Sequence, residues 1–260
     1  MSSVLDPLGA RYAYWLGLPA EDTSDTSDEL PDEIRAMPVI LRIERAEPPG
    51  RTPLLEAAAA AASLAVCLDE RAEPGGEWAG PMHAWLGNRI RKVARRARGA
   101  HWAAVQDLPG ITVEVDGAEA RALVPGLVSE TPKDVARLQI SGSELPPDEP
   151  GPLPDGVPLL LLNPHVPMTV GKGAAQVGHA TMILAALLGD AERAAWAARG
   201  YRVAVRTASP VQWKELHPGD DPEGAWRRDR VIAVRDAGFT EVDPGTITVL
   251  AQWAPEQAAS

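Results

Sequence analysis

Three polar side chains between residues 172 and 179 have types and spacings that could do chemistry. Lys172, Gln176 and His179 are four and three residues apart, so they fall on one face of a helix. A cation, an amide and an imidazole then share one stripe, whereas solvated helix faces are usually built from charged pairs. This pattern predicts a polar site on that helix.

A second stretch with turn chemistry lies near the C-terminus. Residues 231 to 255 contain two runs rich in β-branched residues, which predict two strands. Between them lie Asp236-Ala237-Gly238 and Asp243-Pro244-Gly245, both typical of turns. Asp236 is therefore predicted to lie just past a strand end.

Together the two stretches resemble the type 2 peptidyl-tRNA hydrolase family over about residues 157 to 255. The family pattern is a Gly- and Lys-containing loop, a helix with Ala-Gln and His-Ala, and later Asp-Ala-Gly, Thr, Pro-Gly and Thr. The matching residues occur here in the same order: Met168, Gly171, Lys172, Gln176, His179, Asp236, Ala237, Gly238, Thr240, Pro244, Gly245 and Thr248.

The resemblance implies peptidyl-tRNA as substrate and hydrolysis of the ester between the peptide and the terminal ribose. It marks Lys172 and Asp236 as catalytic. Lys172 could stabilise the oxyanion or bind terminal phosphates. Asp236 could orient or deprotonate the attacking water, or hold Lys172 in a salt bridge.

Six further residues are carried over as substrate-binding or supporting groups. His179 is expected to support the site. The substrate-binding set is Gln176, Thr240, Thr248, Gly171 and Gly238.

Two positions depart from the family pattern. Val170 stands where the first of two loop lysines is usual, and Glu241 replaces the usual Gln after Thr240. The substrate contacts of those two family residues are therefore not expected here.

Other catalytic chemistries lack support in the sequence. Ser209 has none of the glycines of a nucleophile elbow around it. His165, His179 and His217 do not have metal-ligand spacing, and the lone Cys67 reads as a buried apolar residue. We expect no metal and no cofactor.

The net charge of -11 argues against a polyanionic partner, but its distribution is uneven. Residues 21 to 33 contain seven acids and no base. Residues 89 to 98 contain six cations and no acid, between Trp85 and Trp102. They suggest either a solvated amphipathic helix or a patch that binds tRNA phosphates. The cations are Arg89, Arg91, Lys92, Arg95, Arg96 and Arg98.

The fold class predicted is α/β, a small mixed sheet flanked by helices. A strand after Met37 and a helix over 53–68 recur about 120 residues later, as a strand over 159–163 and a helix over 173–188. This order suggests a tandem pseudo-duplication.

Three weaker matches extend the repeat. Residues 102–105 are predicted to be a strand like 202–205, and 120–124 and 135–140 strands like 231–234 and 247–250. Thr52 and Glu56 stand at the positions of Lys172 and Gln176, so the N-terminal copy is expected to be degenerate.

The predicted domains are an acidic segment (1–36), the degenerate half (37–145), a Pro-rich linker (146–156) and the hydrolase-like half (157–256). Within the first, residues 20 to 33 are expected to be largely disordered. A monomer formed as an intrachain pseudo-dimer is expected, with a homodimer as the alternative. No secretory signal or membrane span is recognised, so the expected location is cytoplasmic.

Two other functions stay open at this point. One is a non-catalytic tRNA- or RNA-binding protein that kept the fold, as the acidic charge and the missing loop lysine would suggest. The other is a related esterase acting on another aminoacyl or peptidyl ester.

Overall fold

The computed structural model describes residues 3–142 and 144–253. Residues 1, 2, 143 and 254–256 of the predicted domains lie outside this range. Within it, the chain forms two halves, each with a mixed sheet and a long helix, so the predicted α/β class is confirmed. The domain boundaries themselves stay predictions.

The N-terminal half begins with helical segments and continues into the first sheet. Its strands are β1 (Arg35–Arg42), β2 (Lys92–Ala97), β3 (Gly110–Val115), β4 (Ala118–Leu123) and β5 (Gly126–Leu127). Its α-helices are α1 (Asp6–Gly17), α2 (Arg51–Glu56), α3 (Leu64–Cys67), α4 (Ala79–Leu86), α5 (Gly99–Val105) and α6 (Lys133–Ala136). A π-helical segment, Ala57–Ser63, joins α2 to α3, and short 3-10 turns lie at Glu21–Ser24, Glu70–Ala72 and Val128–Glu130.

The C-terminal half repeats this order in a shorter form. Its strands are β6 (Leu159–Leu162), β7 (Ala204–Thr207), β8 (Val231–Arg235) and β9 (Ile247–Gln252). Its helices are α7 (Val170–Leu187), α8 (Asp190–Ala197), α9 (Pro210–Leu216) and α10 (Pro222–Asp229).

The two sheets have the same strand order and the same strand directions. The first runs β2-β1-β4-β3 and the second runs β7-β6-β9-β8. In each, the first pair is parallel and the next two pairs are antiparallel. This shared topology is compatible with a tandem duplication.

The long helices of the two halves pack against each other within one hydrophobic core that both sheets share. Small residues allow this close approach. A side chain at Gly173 would meet Leu55 at 3.2 Å, and one at Gly178 would meet Ser63 at 2.9 Å. Small residues, which are mainly Ala in residues 51–67 and Gly and Ala in α7, thus set the distance between the halves.

A pair of indole contacts repeats between the halves. Trp85 Nε1 donates to Arg91 O at 3.1 Å, and Trp196 Nε1 donates to Arg202 O at 2.8 Å. In each case the acceptor lies six residues after the tryptophan, just before the edge strand β2 or β7.

Three sequence-based assignments in the N-terminal half are wrong. Residues 102–105 belong to helix α5, and 135–140 form the end of α6 and a loop. The helix considered for 89–98 is largely strand β2, which pairs with β1. Apolar and basic runs of this length suit either element, and pairing with β1 decides the outcome.

The acidic N-terminal segment packs on both halves. Tyr12 is buried, and its hydroxyl accepts a hydrogen bond from Ala233 N at 2.9 Å. This contact covers part of the edge strand β8. Residues 20–33, for which the sequence predicts disorder, include the 3-10 turn Glu21–Ser24 and two acids that pair with Arg89 and Arg91. Among the described residues, no helix is both long enough and apolar enough to cross a membrane.

Candidate active site

Helix α7 begins at the centre of the candidate site. Thr169 is its N-cap, and the Thr169 hydroxyl accepts a hydrogen bond from Lys172 N at 3.1 Å. Lys172 therefore lies in the first turn, where the helix dipole favours a nearby anion.

The Lys172 ammonium and the Asp236 carboxylate form a buried ion pair. Lys172 Nζ lies 2.8 Å from Asp236 Oδ1, with side-chain exposures of 6% and 10%. Lys172 Nζ also donates to Thr240 Oγ1 at 3.1 Å. The salt bridge, one of the two roles considered for Asp236, is thus present.

Two buried polar residues orient this carboxylate. Gln176 Nε2 donates to Asp236 Oδ1 at 2.8 Å, while Thr248 Oγ1 donates to Gln176 Oε1 at 2.5 Å. Gln176 is 3% exposed and Thr248 is fully buried. Their hydrogen bonds fix the amide of Gln176 so that its N–H faces Asp236.

The turn after Asp236 requires glycine. Gly238 has φ +83°, and a Cβ there would lie 2.5 Å from Pro244. Its N–H donates to Asp236 Oδ2 at 2.8 Å, so the turn supplies the third donor to the carboxylate.

This arrangement joins residues from the two stretches that the sequence analysis identified. Residues 158–259 match the family model described as Peptidyl-tRNA hydrolase PTH2. The C-terminal half is therefore similar to this family. No curated protein and no solved structure matches the chain significantly.

The two departures from the type 2 peptidyl-tRNA hydrolase pattern have structural explanations. Val170 is fully buried in the shared core, so a lysine there would lose its hydration. Glu241 accepts from Thr169 N at 3.0 Å and from Thr169 Oγ1 at 2.8 Å. A carboxylate has an acceptor oxygen for each of these donors, whereas a glutamine has only one.

The residues of this candidate site open into a cleft of about 1060 Å³ that both halves line. Lys172, Gln176, Asp236 and Thr240 lie on the C-terminal side, together with Gly171. The opposite side is formed by the start of β2 and by the acidic segment, which includes α1. A ligand bound at Lys172 would therefore contact both halves.

Exposed apolar side chains surround this cleft. Phe239, next to the Gly238 turn, is 46% exposed, and Tyr14, Leu30 and Ile140 are more exposed still. The Arg91 guanidinium lies 5.0 Å from the Phe239 ring centroid. Such surfaces can bind bases or apolar peptide side chains.

His179 lies deeper in the cleft, next to a cation from the N-terminal half. Its Nδ1 is 3.3 Å from Lys92 Nζ. Burial, followed by the charges of Lys92 and Lys172, holds the pKa of His179 well below its usual range. The imidazole is therefore neutral at physiological pH.

The six cations proposed to bind tRNA do not share one face. Arg89 and Arg91 lie at the cleft and pair with Asp28 and Glu29, with Arg89 Nη1 2.7 Å from Asp28 Oδ1. Lys92 points to His179.

Of the remaining cations, Arg95 and Arg96 lie farther along β2 and Arg98 directly follows it. Arg95 donates to Leu138 O at 2.9 Å, Arg96 donates to Gln139 Oε1, and Arg98 is half-buried. A strand turns successive side chains to opposite sides, which divides the set.

The residues of the N-terminal half that are equivalent in sequence to Lys172 and Gln176 make structural hydrogen bonds instead. Thr52 N and Oγ1 donate to the Asp148 carboxylate at 2.8 and 2.6 Å. Glu56 Oε1 accepts from Val205 N at 3.0 Å, across to β7. Desolvation raises the pKa of this carboxyl above its usual value.

Sequence reasoning missed the roles of Glu241 and of the acidic segment. The opposite charges of residues 21–33, with seven acids, and residues 89–98, with six cations, indicated that the two stretches attract each other. Nothing in the local sequence indicated which of these residues meet. Within the described ranges, no group of three or more His, Cys, Asp or Glu residues could hold a metal ion.

Proposed function

We propose that this protein hydrolyses the ester bond between peptide and tRNA in peptidyl-tRNA, releasing free tRNA. The observation that carries this proposal is the buried Lys172–Asp236 pair in a cleft of about 1060 Å³. The family match over residues 158–259 supports the same reaction class.

Lys172 is proposed to stabilise the oxyanion. An ammonium has three N–H donors, and two of them have partners here, Asp236 and Thr240. The third remains for the carbonyl oxygen of the ester. Negative charge develops on that oxygen when water attacks, so a nearby fixed cation lowers the barrier.

Asp236 is proposed to orient the attacking water. A carboxylate offers about four lone-pair sites, and three donors occupy Asp236: Lys172, Gln176 and Gly238. The fourth site can accept the water proton. The water oxygen then bonds to the carbonyl carbon, the bond to the ribose oxygen breaks, and the proton passes to that oxygen.

The other family residues are proposed to position these two groups and the substrate. Gln176 and Thr248 are buried behind Asp236, so we assign them to orienting the carboxylate. Thr240 accepts from Lys172, which leaves its own proton to donate to the ribose. Gly171 and Gly238 let the substrate approach the backbone closely.

The tRNA phosphates are proposed to bind at Arg89 and Arg91. These arginines lie at the same cleft but are paired with Asp28 and Glu29. Phosphates would replace these carboxylates as partners of the two guanidinium groups. Arg95 and Arg96 lie farther along β2, Arg98 directly follows it, and all three are proposed to extend the patch.

We further propose that the protein is a cytoplasmic monomer, in which the N-terminal half takes the place of a second subunit. The helices of the two halves pack together as two subunits would. Light scattering should then give a mass near 27.6 kDa. A mass of twice this value would contradict the proposal.

The function is tested by release of free tRNA from purified peptidyl-tRNA. We expect wild type to turn over, and Lys172→Met and Asp236→Asn to lose ~100-fold or more in kcat/KM. Lys214→Met and Asp220→Asn remove the same groups from exposed positions and should keep full activity.

Two results would change the assignment. If wild type binds tRNA but does not hydrolyse the ester, the fold has been kept for RNA binding. If wild type cleaves other aminoacyl or peptidyl esters faster, the protein is a related esterase.

A further inference from the structure

Lys92 extends from the N-terminal half to the active-site helix of the other half. It is the first residue of β2, and it lines the same cleft as Lys172 and Asp236. Its Nζ lies 3.3 Å from His179 Nδ1 and 2.8 Å from Met182 Sδ.

The surroundings of Lys92 are shaped to hold an extended lysine. A Cβ at Gly178 would lie 3.1 Å from Lys92 Cε and 3.2 Å from Cδ, so glycine leaves room for the side chain to cross α7. The ammonium lies 5.2 Å from the Trp85 ring centroid, within cation–π range. The hydrogen bond from Trp85 to Arg91 O fixes the backbone immediately before Lys92.

This ammonium has no acidic partner in the part of the chain that the structure describes. In the described ranges, no carboxylate lies within ion-pair distance of Lys92; the titratable groups around it are His179 and the thiol of Cys67. Desolvation lowers the pKa of Lys92 to about 7. An apolar side chain would fill this position at lower cost, so stability does not explain the lysine.

The contact with Lys92 determines which tautomer His179 adopts. A neutral imidazole has one N–H and one acceptor nitrogen. A protonated Lys92 can only donate, so Nδ1 is the acceptor and the hydrogen is on Nε2. His179 is half-buried and lies three residues after Gln176 on the cleft face of α7.

We propose that Lys92 is a positioning residue of the active site, which holds His179 as the Nε2–H tautomer so that this N–H donates to an oxygen of the peptidyl ester. This inference rests on the proposed function. It makes the degenerate half part of the catalytic unit, because the residue that sets the tautomer belongs to that half.

The tautomer is tested without any activity measurement. Nitrogen-15 spectra of the histidine imidazoles at pH 6 should show the Nε2–H tautomer for His179, assigned by the signals lost in His179→Asn. Lys92→Met, which keeps an unbranched side chain but removes the ammonium, should lose this preference. Arg96→Met removes a cation from the same strand and should leave the spectrum unchanged. An Nδ1–H signal in wild type, or an unchanged spectrum in Lys92→Met, would overturn the proposal.

Kinetics on peptidyl-tRNA test the link to substrate. In wild type, kcat/KM should fall as pH rises through about 7, because neutral Lys92 no longer keeps the hydrogen off Nδ1. In Lys92→Met this pH dependence should disappear, with activity reduced about tenfold from the loss of one hydrogen bond. The double variant Lys92→Met/His179→Asn should be no slower than His179→Asn alone.

Two kinetic results would contradict the proposal: additive losses in the double variant, or a wild-type pH profile retained in Lys92→Met. If wild type hydrolyses no peptidyl-tRNA, the proposed function fails. The imidazole spectra then still decide whether Lys92 sets the tautomer of His179.

Discussion

The carboxylate of Glu241 binds Thr169, the N-cap of α7, through both the backbone N–H and the hydroxyl of Thr169. The loop that follows Asp236 is thereby tied to the helix that carries Lys172. Because a negative charge near a helix N-terminus is favourable, this contact also stabilises the start of α7.

Glu241→Gln should weaken this connection. A glutamine has one acceptor oxygen for two donors, so we expect a loss of about 0.5–1 kcal/mol at this exposed site and a Tm lower by roughly 1–3 °C. Calorimetry measures the shift, with Glu215→Gln as an exposed control. An unchanged Tm would show that the second hydrogen bond contributes nothing.

The buried pair should respond differently to single and double replacement. Lys172→Met leaves the Asp236 charge buried with only Gln176 and Gly238 as donors, which should cost about 3–5 kcal/mol. Lys172→Met/Asp236→Asn contains no uncompensated charge and should recover part of this loss. Urea unfolding measures both. A double variant as unstable as the sum of the two single variants would argue against an ion pair.

Gly238→Ala should disrupt the turn that supplies an N–H to Asp236. The substitution combines φ +83° with a contact of 2.5 Å to Pro244, so the backbone must move and hydrolysis should fall by ~100-fold. Gly219→Ala is the matched control, because Gly219 has φ +56° but open space around its Cβ position. Similar activity in the two variants would mean that the contact with Pro244 is unimportant.

Neutralising the acids that pair with Arg89 and Arg91 should strengthen tRNA binding. In Asp28→Asn/Glu29→Gln the two arginines have no carboxylates to release before they bind phosphates. We therefore expect an affinity for tRNA about tenfold higher and a steeper dependence of binding on salt. Asp220→Asn/Glu73→Gln changes the net charge equally at exposed positions. Equal gains in both variants would indicate a net-charge effect only.

The ion pair between Glu29 and Arg91 makes the stability of the protein depend on pH in a defined direction. The hydrogen bond from Arg91 lowers the pKa of Glu29 below its usual value. The stabilisation is therefore present above the ordinary pKa of glutamate, about 4.3, and is lost as pH falls through the lowered value. At neutral pH the acidic segment stays paired, and only a competing anion should displace it.

The sequence by itself determined the C-terminal half and its polar set. Strand and helix periodicities, together with turn residues such as Gly238, are local signals that indicate each element. The helical spacing of Lys172, Gln176 and His179 likewise placed these residues on one face before any fold was known. The prediction of two similar halves also came from local order, and the equivalent sheet orders agree with it.

Only the tertiary structure decided which distant residues meet. It turned residues 92–97 into an edge strand, because pairing with β1 outweighs the local pattern. It buried Val170, joined Glu241 to Thr169, and brought Lys92 to His179 across the two halves. Such contacts depend on how the sheets and helices pack, and sequence spacing carries no information about distances between separate elements.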